Sequence, residues 1–509
     1  MNLRNCLLCF LVWPSSLPAA PILRQPKEPV PIVIIMADQL RADVVGDWAP
    51  NIRALAQDGV TFAKAYATSP LCAPSRASFF TGRYPNRTHA LINPWAVQDA
   101  RFGRVKAGIP NLYTLMQEKW DSWHVGKQHL FTEDSLEQGG GAQTTWLTLD
   151  SYSQWMKEKG VAKPGGRQFK ALVPEQVSGR HTHARYYSTP FAARYTPGIE
   201  YFTDRYISDQ SQRAIRQRDK TKPLLLNSMF LAPHPPFHIP EPYFSAVDAQ
   251  QVDLPDNVGQ WYPGQSPLQL YNITGYLGTR YSREEWRDTW AKYLGLVKLL
   301  DDEVGRIIQV LKDEGLYEKS IVIFTADHGE LLGSHSLWQK NCLYEESIRV
   351  PLFIKFPADF QPYHKSVEEA VSLIDVLPTL LEYTGMPVPD DLDGQSLLSW
   401  VGNGKRPAEN RAIFLQYDGN GALGNFQRGV IRDGYKLIAD FFKDEVFLEL
   451  YQVEEDPQET VNLAFQHEHD KKVHELLAFL KNQMKQTGDH LVLPENVYVQ
   501  FLNHYTLND

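Results

Sequence analysis

The chain has 509 residues, 43% apolar, 22% charged and 12% aromatic, and carries a formal net charge of −9. That composition excludes a disordered chain, a collagen-like fibre and a polytopic membrane protein. The acidic balance removes the electrostatic footprint of a general nucleic-acid binder, and the length accommodates a large buried core.

Arg4, the apolar run from Cys6 to Trp13 and the small residues closing at Ala20 read as a signal peptide over residues 1–20. The run is too short to span a bilayer, and no later stretch reaches about 18 consecutive apolar residues. The expectation is a soluble exported protein, whether secreted, periplasmic or lysosomal. Of four cysteines, Cys6 and Cys9 leave with the signal. Cys72 and Cys342 alone make no disulfide framework.

Residues 31–36 form a continuous β-branched run, which predicts a fully buried strand ending at Ala37-Asp38-Gln39. Residues 50–58 carry Ile52, Leu55 and Ala56 at helical spacing. In Leu71-Cys72-Ala73-Pro74-Ser75-Arg76, Pro74 suits the first turn of a helix. Cys72 then sits at a helix N-terminus, where free N–H groups favour an anion, and Arg76 lies one turn on. Lys127 and His129, two apart on an extended segment, point the same way.

Residues 131–200 show weak periodicity and read as a long functional or mobile connection. Within it Lys163, Arg167, Lys170, Arg180, Arg185 and Arg194 face one acid, Glu175, with His181, His183, Tyr186 and Tyr187 interleaved. A strand over 222–229 leads to Pro233-His234-Pro235-Pro236-Phe237. Ser282 and Glu285 make a capping box, and a helical stripe runs from Trp286 to Leu311. The strand over 320–325 runs into Ala326-Asp327-His328-Gly329.

Past residue 400 the texture changes to strands within 427–442 and 447–452 and a helix over 469–485. The predicted organisation is a catalytic domain over 21–400 and an α+β subdomain over 401–509. The fold class is α/β: a large, mainly parallel sheet between helices, with a small C-terminal antiparallel sheet. Asp38-Gln39 and Asp327-His328 both follow strands, so they gather at the rim where such sheets bind ligands. Taken singly, these aspartates read equally well as helix caps.

The string Cys72-Ala-Pro74-Ser75-Arg76, with Thr81-Gly82-Arg83 behind it, resembles the sulfatase signature. The resemblance continues through Asp38-Gln39-Leu40-Arg41-Ala42-Asp43, Gly126-Lys127-Gln128-His129, the His234 element, Asp327-His328-Gly329-Glu330, and Lys340 with Tyr344-Glu345-Glu346. It spans roughly residues 30 to 470, in order. The chain is similar to the formylglycine-dependent (type I) sulfatases of the alkaline-phosphatase-like superfamily.

The resemblance implies a sulfuric ester hydrolase whose Cys72 is oxidised to formylglycine by a formylglycine-generating enzyme. Such an aldehyde hydrate attacks through one hydroxyl and expels sulfate with electrons from the other, splitting one hard step into two. Asp38, Gln39, Asp327 and His328, with position 72, would hold a divalent metal. Arg76 would act on the formylglycine, Lys127 and Lys340 on sulfate oxygens, His129 as base, and His234 on sulfate and the departing alcohol. Gln39 and His328 replace the commoner Asp and Asn, as in the choline-sulfatase and phosphonate monoester hydrolase branch. An amide and an imidazole make Mn2+ a competitor to Ca2+.

The expected substrate is a sulfated carbohydrate, gripped by Arg180 and Arg185, with aryl sulfates also turned over. Two alternatives stand beside it: a phosphonate or phosphodiester hydrolase of the same superfamily, and an inactive sulfatase-like binding protein. Asn86 and Asn272 lie in Asn-x-Thr sequons, Asn86 the less accessible by position.

Overall fold

The computed structural model describes residues 29–95, 99–137, 143–179, 181–402 and 411–505. The signal-peptide reading of residues 1–20 and the substrate role of Arg180 lie outside the described residues.

In chain order the first strands are β1 (Ile32–Asp38), β2 (Val60–Tyr66), β3 (Asp121–Gly126), β4 (Thr144–Thr148), β5 (Lys170–Val177) and β6 (His181–Ser188). There follow β7 (Ala192–Arg194), β8 (Leu224–Pro233), β9 (Phe237–Ile239), β10 (Ile321–Ala326), β11 (Arg349–Val350), β12 (Leu352–Lys355) and β13 (Ser366–Ser372). The last four are β14 (Ile413–Tyr417), β15 (Phe426–Arg432), β16 (Tyr435–Phe442) and β17 (Glu445–Gln452).

A nine-stranded sheet runs β11-β2-β12-β10-β1-β8-β3-β4, with β13 also on β2. From β10 through β4 every pairing is parallel, while β12 and β11 pair antiparallel. Every residue of β1 is buried, as a central strand covered on both faces requires. Its neighbour β10 runs alongside in register, Ile32 opposite Ile321 and Ala37 opposite Ala326. Asp38 and Asp327 therefore leave adjacent strands at the same height.

The predicted long helix is Arg283–Asp313, capped by the reciprocal Ser282–Glu285 box, with its stripe from Trp286 to Leu311 buried against β8. The helix Cys72–Thr81 is buried along all ten residues. Pro74 occupies its third position, where an N–H would lack an intrahelical acceptor. Gly82 closes it at φ 65°, a left-handed conformation that favours glycine.

The C-terminal sheet, β14-β15-β16-β17, is antiparallel throughout. One face packs Leu437, Leu448 and Leu450 against Leu476, Leu480 and Phe501 of the closing helices. The other sets Ile413, Leu415, Ile431 and Ile438 against Leu331, Leu337, Leu343 and Tyr344. This second face makes the small sheet a backstop for the segment after β10.

Three readings need correction. The stretch 131–200 is not a connection without clear elements: it holds β4, a helix Leu149–Lys159 and the hairpin β5–β6. Strand β14 went unread. The order of access of the two sequons is the reverse of the expectation: Asn272 is 3% exposed and caps a helix through Thr274, whereas Asn86 is half-buried. The Asn86 side chain is engaged with Thr487 and Gln416. Cys72 and Cys342 are both free and buried.

Candidate active site

Asp38 and Asp327, at the ends of β1 and β10, meet the N-terminus of the helix Cys72–Thr81. Asp38, Cys72, Asp327 and His328 bring one donor atom each to within 4.8 Å of one another. All four side chains are buried.

The acids are held from the protein side. Asp327 accepts from Arg76 Nε at 2.8 Å through Oδ2, and through Oδ1 from the Gln39 and His328 N–H groups at 3.1 and 3.0 Å. Asp38 Oδ2 takes Lys127 Nζ and approaches an Arg76 nitrogen at 3.4 Å. Arg76 also donates to the Lys127 carbonyl at 3.1 Å. Its guanidinium thus lies on the two acids. Burial pushes the Asp38 carboxyl up, but Lys127, His234 and Arg76 outweigh it and hold the group ionised.

Gln39 adopts φ 67°. In that conformation its side chain donates from Nε2 to Glu330 and accepts Lys340 Nζ at Oε1. With its nitrogen tied to a carboxylate, the amide turns its oxygen to Lys340. Glu330, buried and also accepting the Leu332 N–H at 3.0 Å, was not singled out from the sequence as a site residue. His328 is oriented in the same fashion: Nδ1 lies 2.9 Å from the Gly329 carbonyl, and Nε2 lies 3.4 Å from Cys72 Sγ.

Around the sulfur the charge is positive. Lys127 Nζ stands 3.5 Å from it, and His129 and His234 lie beside the thiol. Burial opposes a thiolate, yet Lys127, Lys340 and His328 overcome it and hold the Cys72 thiol well below its ordinary value. Burial first and then the Lys127 charge hold His129 neutral, with a pKa of about 4. His234 is lowered for the same reason, burial with Lys340, and its Nδ1 faces the Pro235 carbonyl. Burial pushes the Cys342 thiol well up.

The donor set fits a divalent cation. Asp38 Oδ1 is buried without a hydrogen-bond partner, and two carboxylates, an imidazole nitrogen and the position 72 side chain bring their donor atoms together. The predicted residues Asp38, Gln39, Cys72, Arg76, Lys127, His129, His234, Asp327, His328 and Lys340 are brought together here.

Arg185 stands at the rim. Its guanidinium pairs with Glu175 at 3.0 Å and donates to the Gly421 carbonyl at 3.3 Å, tying the hairpin β5–β6 to the C-terminal sheet. A side chain on Gly421 would touch both Arg185 and Trp95. Trp95, 54% exposed with its ring 5.4 Å from that of His129, was missed. A lone tryptophan outside any periodic element gives no sequence signal.

The sulfatase family model matches residues 31–386. A model described as N-sulphoglucosamine sulphohydrolase, C-terminal, matches residues 333–488. An arylsulfatase of Clostridium perfringens is 24% identical over 484 residues, covering 89% of this chain and 94% of the relative. An N-acetylglucosamine-6-O-sulfatase of Bacteroides thetaiotaomicron is 25% identical, covering 87% of this chain and 82% of the relative. A solved phosphonate monoester hydrolase from Silicibacter pomeroyi shares the fold with a TM-score of 0.71 at 23% identity, covering 91% of this chain and 96% of that one.

Proposed function

The chain belongs to the sulfatase family and is a sulfuric ester hydrolase, and on that premise we propose that it desulfates a sulfated carbohydrate through a formylglycine made from Cys72. The observation that carries this reading is the placement of Cys72: its sulfur lies among Lys127, His129, His234 and His328, beside two buried acids.

Asp38, Gln39, Asp327 and His328 would hold a divalent ion, Ca2+ or Mn2+, and that ion with the formylglycine hydrate supplies an activated hydroxyl and an electrophilic grip on sulfate. Lys127 and Lys340 bind the sulfate oxygens and favour the charge that develops there. His129, neutral at physiological pH, accepts a proton from position 72. His234, whose Nδ1 is committed to the Pro235 carbonyl, takes a proton at Nε2 as the anion enters and passes it to the leaving alcohol. Arg76 pairs with Asp38 and Asp327 and holds both carboxylates in place.

The carbohydrate reading is supported by the N-acetylglucosamine-6-O-sulfatase among the relatives and by Trp95 at the mouth, a flat apolar face on which a sugar ring stacks. Maturation by a formylglycine-generating enzyme and export by residues 1–20 belong to the same proposal.

The test is the mass of the peptide carrying residue 72 in exported protein, with rates on glucosamine 6-O-sulfate and on an aryl phosphonate. Formylglycine with a preference for the sulfated sugar supports the reading. A faster aryl phosphonate moves the protein to phosphonate hydrolysis. An intact thiol without turnover makes it a binding protein.

A further inference from the structure

A second group of buried donors, sharing no residue with the first, lies between the segment after β10 and the C-terminal sheet. His335, Glu346 and Glu459 bring one donor atom each to within 4.8 Å of one another. They come from three separate stretches of chain.

His335 is fully buried and fixed on every side but its nitrogens. Its main chain sits at φ 57°, its N–H donates to the Asn257 carbonyl at 3.0 Å, and its carbonyl accepts from Gln265 at 3.1 Å. Its ring stacks on Tyr344 at 4.1 Å between centroids. Yet neither ring nitrogen has a hydrogen-bond partner. Nε2 points to Glu346 Oε2 across 3.7 Å, beyond hydrogen-bond length.

The neighbours share the deficit. Glu346 accepts the Asn257 amide at 2.5 Å through Oε1, while its Oε2 and the Asn257 Oδ1 are buried without partners. Glu459 accepts the Glu345 N–H at 2.7 Å and faces Lys436 at 2.6 Å. Two carboxylates, Glu345 and Glu459, thus share the ammonium of Lys436, and Glu346 is not paired with it. An imidazole in its neutral form has one N–H to give, and Asn257 Oδ1 and Glu346 Oε2 can only accept. Whichever nitrogen carries the proton, a buried acceptor stays bare.

We propose that this group is a second, structural cation site, in which His335, Glu346 and Glu459, with the amide oxygen of Asn257, bind a divalent ion of the Zn2+ or Mn2+ type. One imidazole nitrogen with carboxylate and amide oxygens is the donor chemistry of those ions. Burial keeps His335 in the neutral, ligating form and raises the Glu459 carboxyl, a cost that a cation offsets. Glu346 also lines a groove of about 700 Å3 with Arg41, Arg349 and Gln458, which gives an ion a way in.

Loaded, the site pins the stretch between His328 and Lys340 to the C-terminal subdomain. The Glu346 carbonyl accepts the Glu330 N–H at 2.8 Å, and Glu330 in turn holds Gln39. The ion therefore braces the first site without contacting substrate.

The test is chelator-treated protein titrated with Zn2+ alone, read by calorimetry and by metal content per chain. The wild type should take two equivalents, Asp327→Asn one, and Asp327→Asn with Glu346→Gln none. Zn2+ should raise the Tm of Asp327→Asn by several degrees and leave the double variant unmoved. Zinc-edge anomalous scattering from wild-type crystals should put a peak beside His335, independently of any variant. A single equivalent in the wild type, or water alone between His335 and Glu346 in those crystals, overturns the proposal.

Discussion

Arg76 Nε donates to Asp327 Oδ2 across 2.8 Å in an ion pair with both side chains almost fully buried. Such a pair adds little net stability over an apolar replacement, but removing one partner strands the other charge. Arg76→Ala should lower the unfolding free energy of metal-free protein by about 3–5 kcal/mol, and added divalent metal should recover part of it. Denaturation with and without metal measures this. An unchanged midpoint in metal-free protein contradicts the assigned role.

Glu330 orients Gln39 by accepting from its amide. In Glu330→Gln an amide replaces the carboxylate, and the Gln39 amide is free to turn. Divalent affinity at the first site should weaken about 10- to 100-fold, as when other oriented ligands lose their support. Calorimetric titration is the readout. Equal affinity in both proteins removes Glu330 from the site.

Trp95 and Arg185 border Gly421 at the rim. Trp95→Ala should raise KM for a sulfated oligosaccharide by about tenfold, in line with the worth of a lost aromatic contact, and leave a small alkyl sulfate nearly unchanged. Arg185→Gln should do the same more weakly, because Arg185 already serves Glu175. Equal losses on large and small substrates argue for a structural role in both cases.

Burial pushes Glu449 from its ordinary 4.5 up to about 7, although the Tyr344 and Tyr451 hydroxyls bond to it. Between those values the folded protein keeps a proton that the unfolded chain has released. Stability therefore falls as pH rises through that window, by about 3 kcal/mol in total from this group. Glu449→Gln should flatten the slope of unfolding free energy between pH 4.5 and 7. Urea denaturation at four pH values across the window measures it, and an unchanged slope sinks the assignment.

What the sequence discloses follows from how local the cause is. β1 and β10 are readable because a central parallel strand is apolar on both faces, and the helix Arg283–Asp313 because its cap and stripe are short-range patterns. The helix Leu149–Lys159 had its signals too, with Thr148 capping the start and Gly160 left-handed at the end, but its apolar stripe is thin. The hairpin β5–β6 is basic and half-exposed, so it lacks a buried face to set a period. The roles of Glu330 and Trp95 depend on Gln39 and His129, distant in the chain. The closure of the Asn272 sequon likewise depends on what packs over it.

Asp38 and Asp327 follow paired residues of neighbouring strands, Ala37 opposite Ala326. The gap between the two carboxylates is therefore set by the spacing of a hydrogen-bonded sheet, about 4.8 Å, and not by any surface turn. An engineer who replaced the rim, exchanging the β5–β6 hairpin and the turn around Gly421 for those of another enzyme, would be altering taste without touching the teeth.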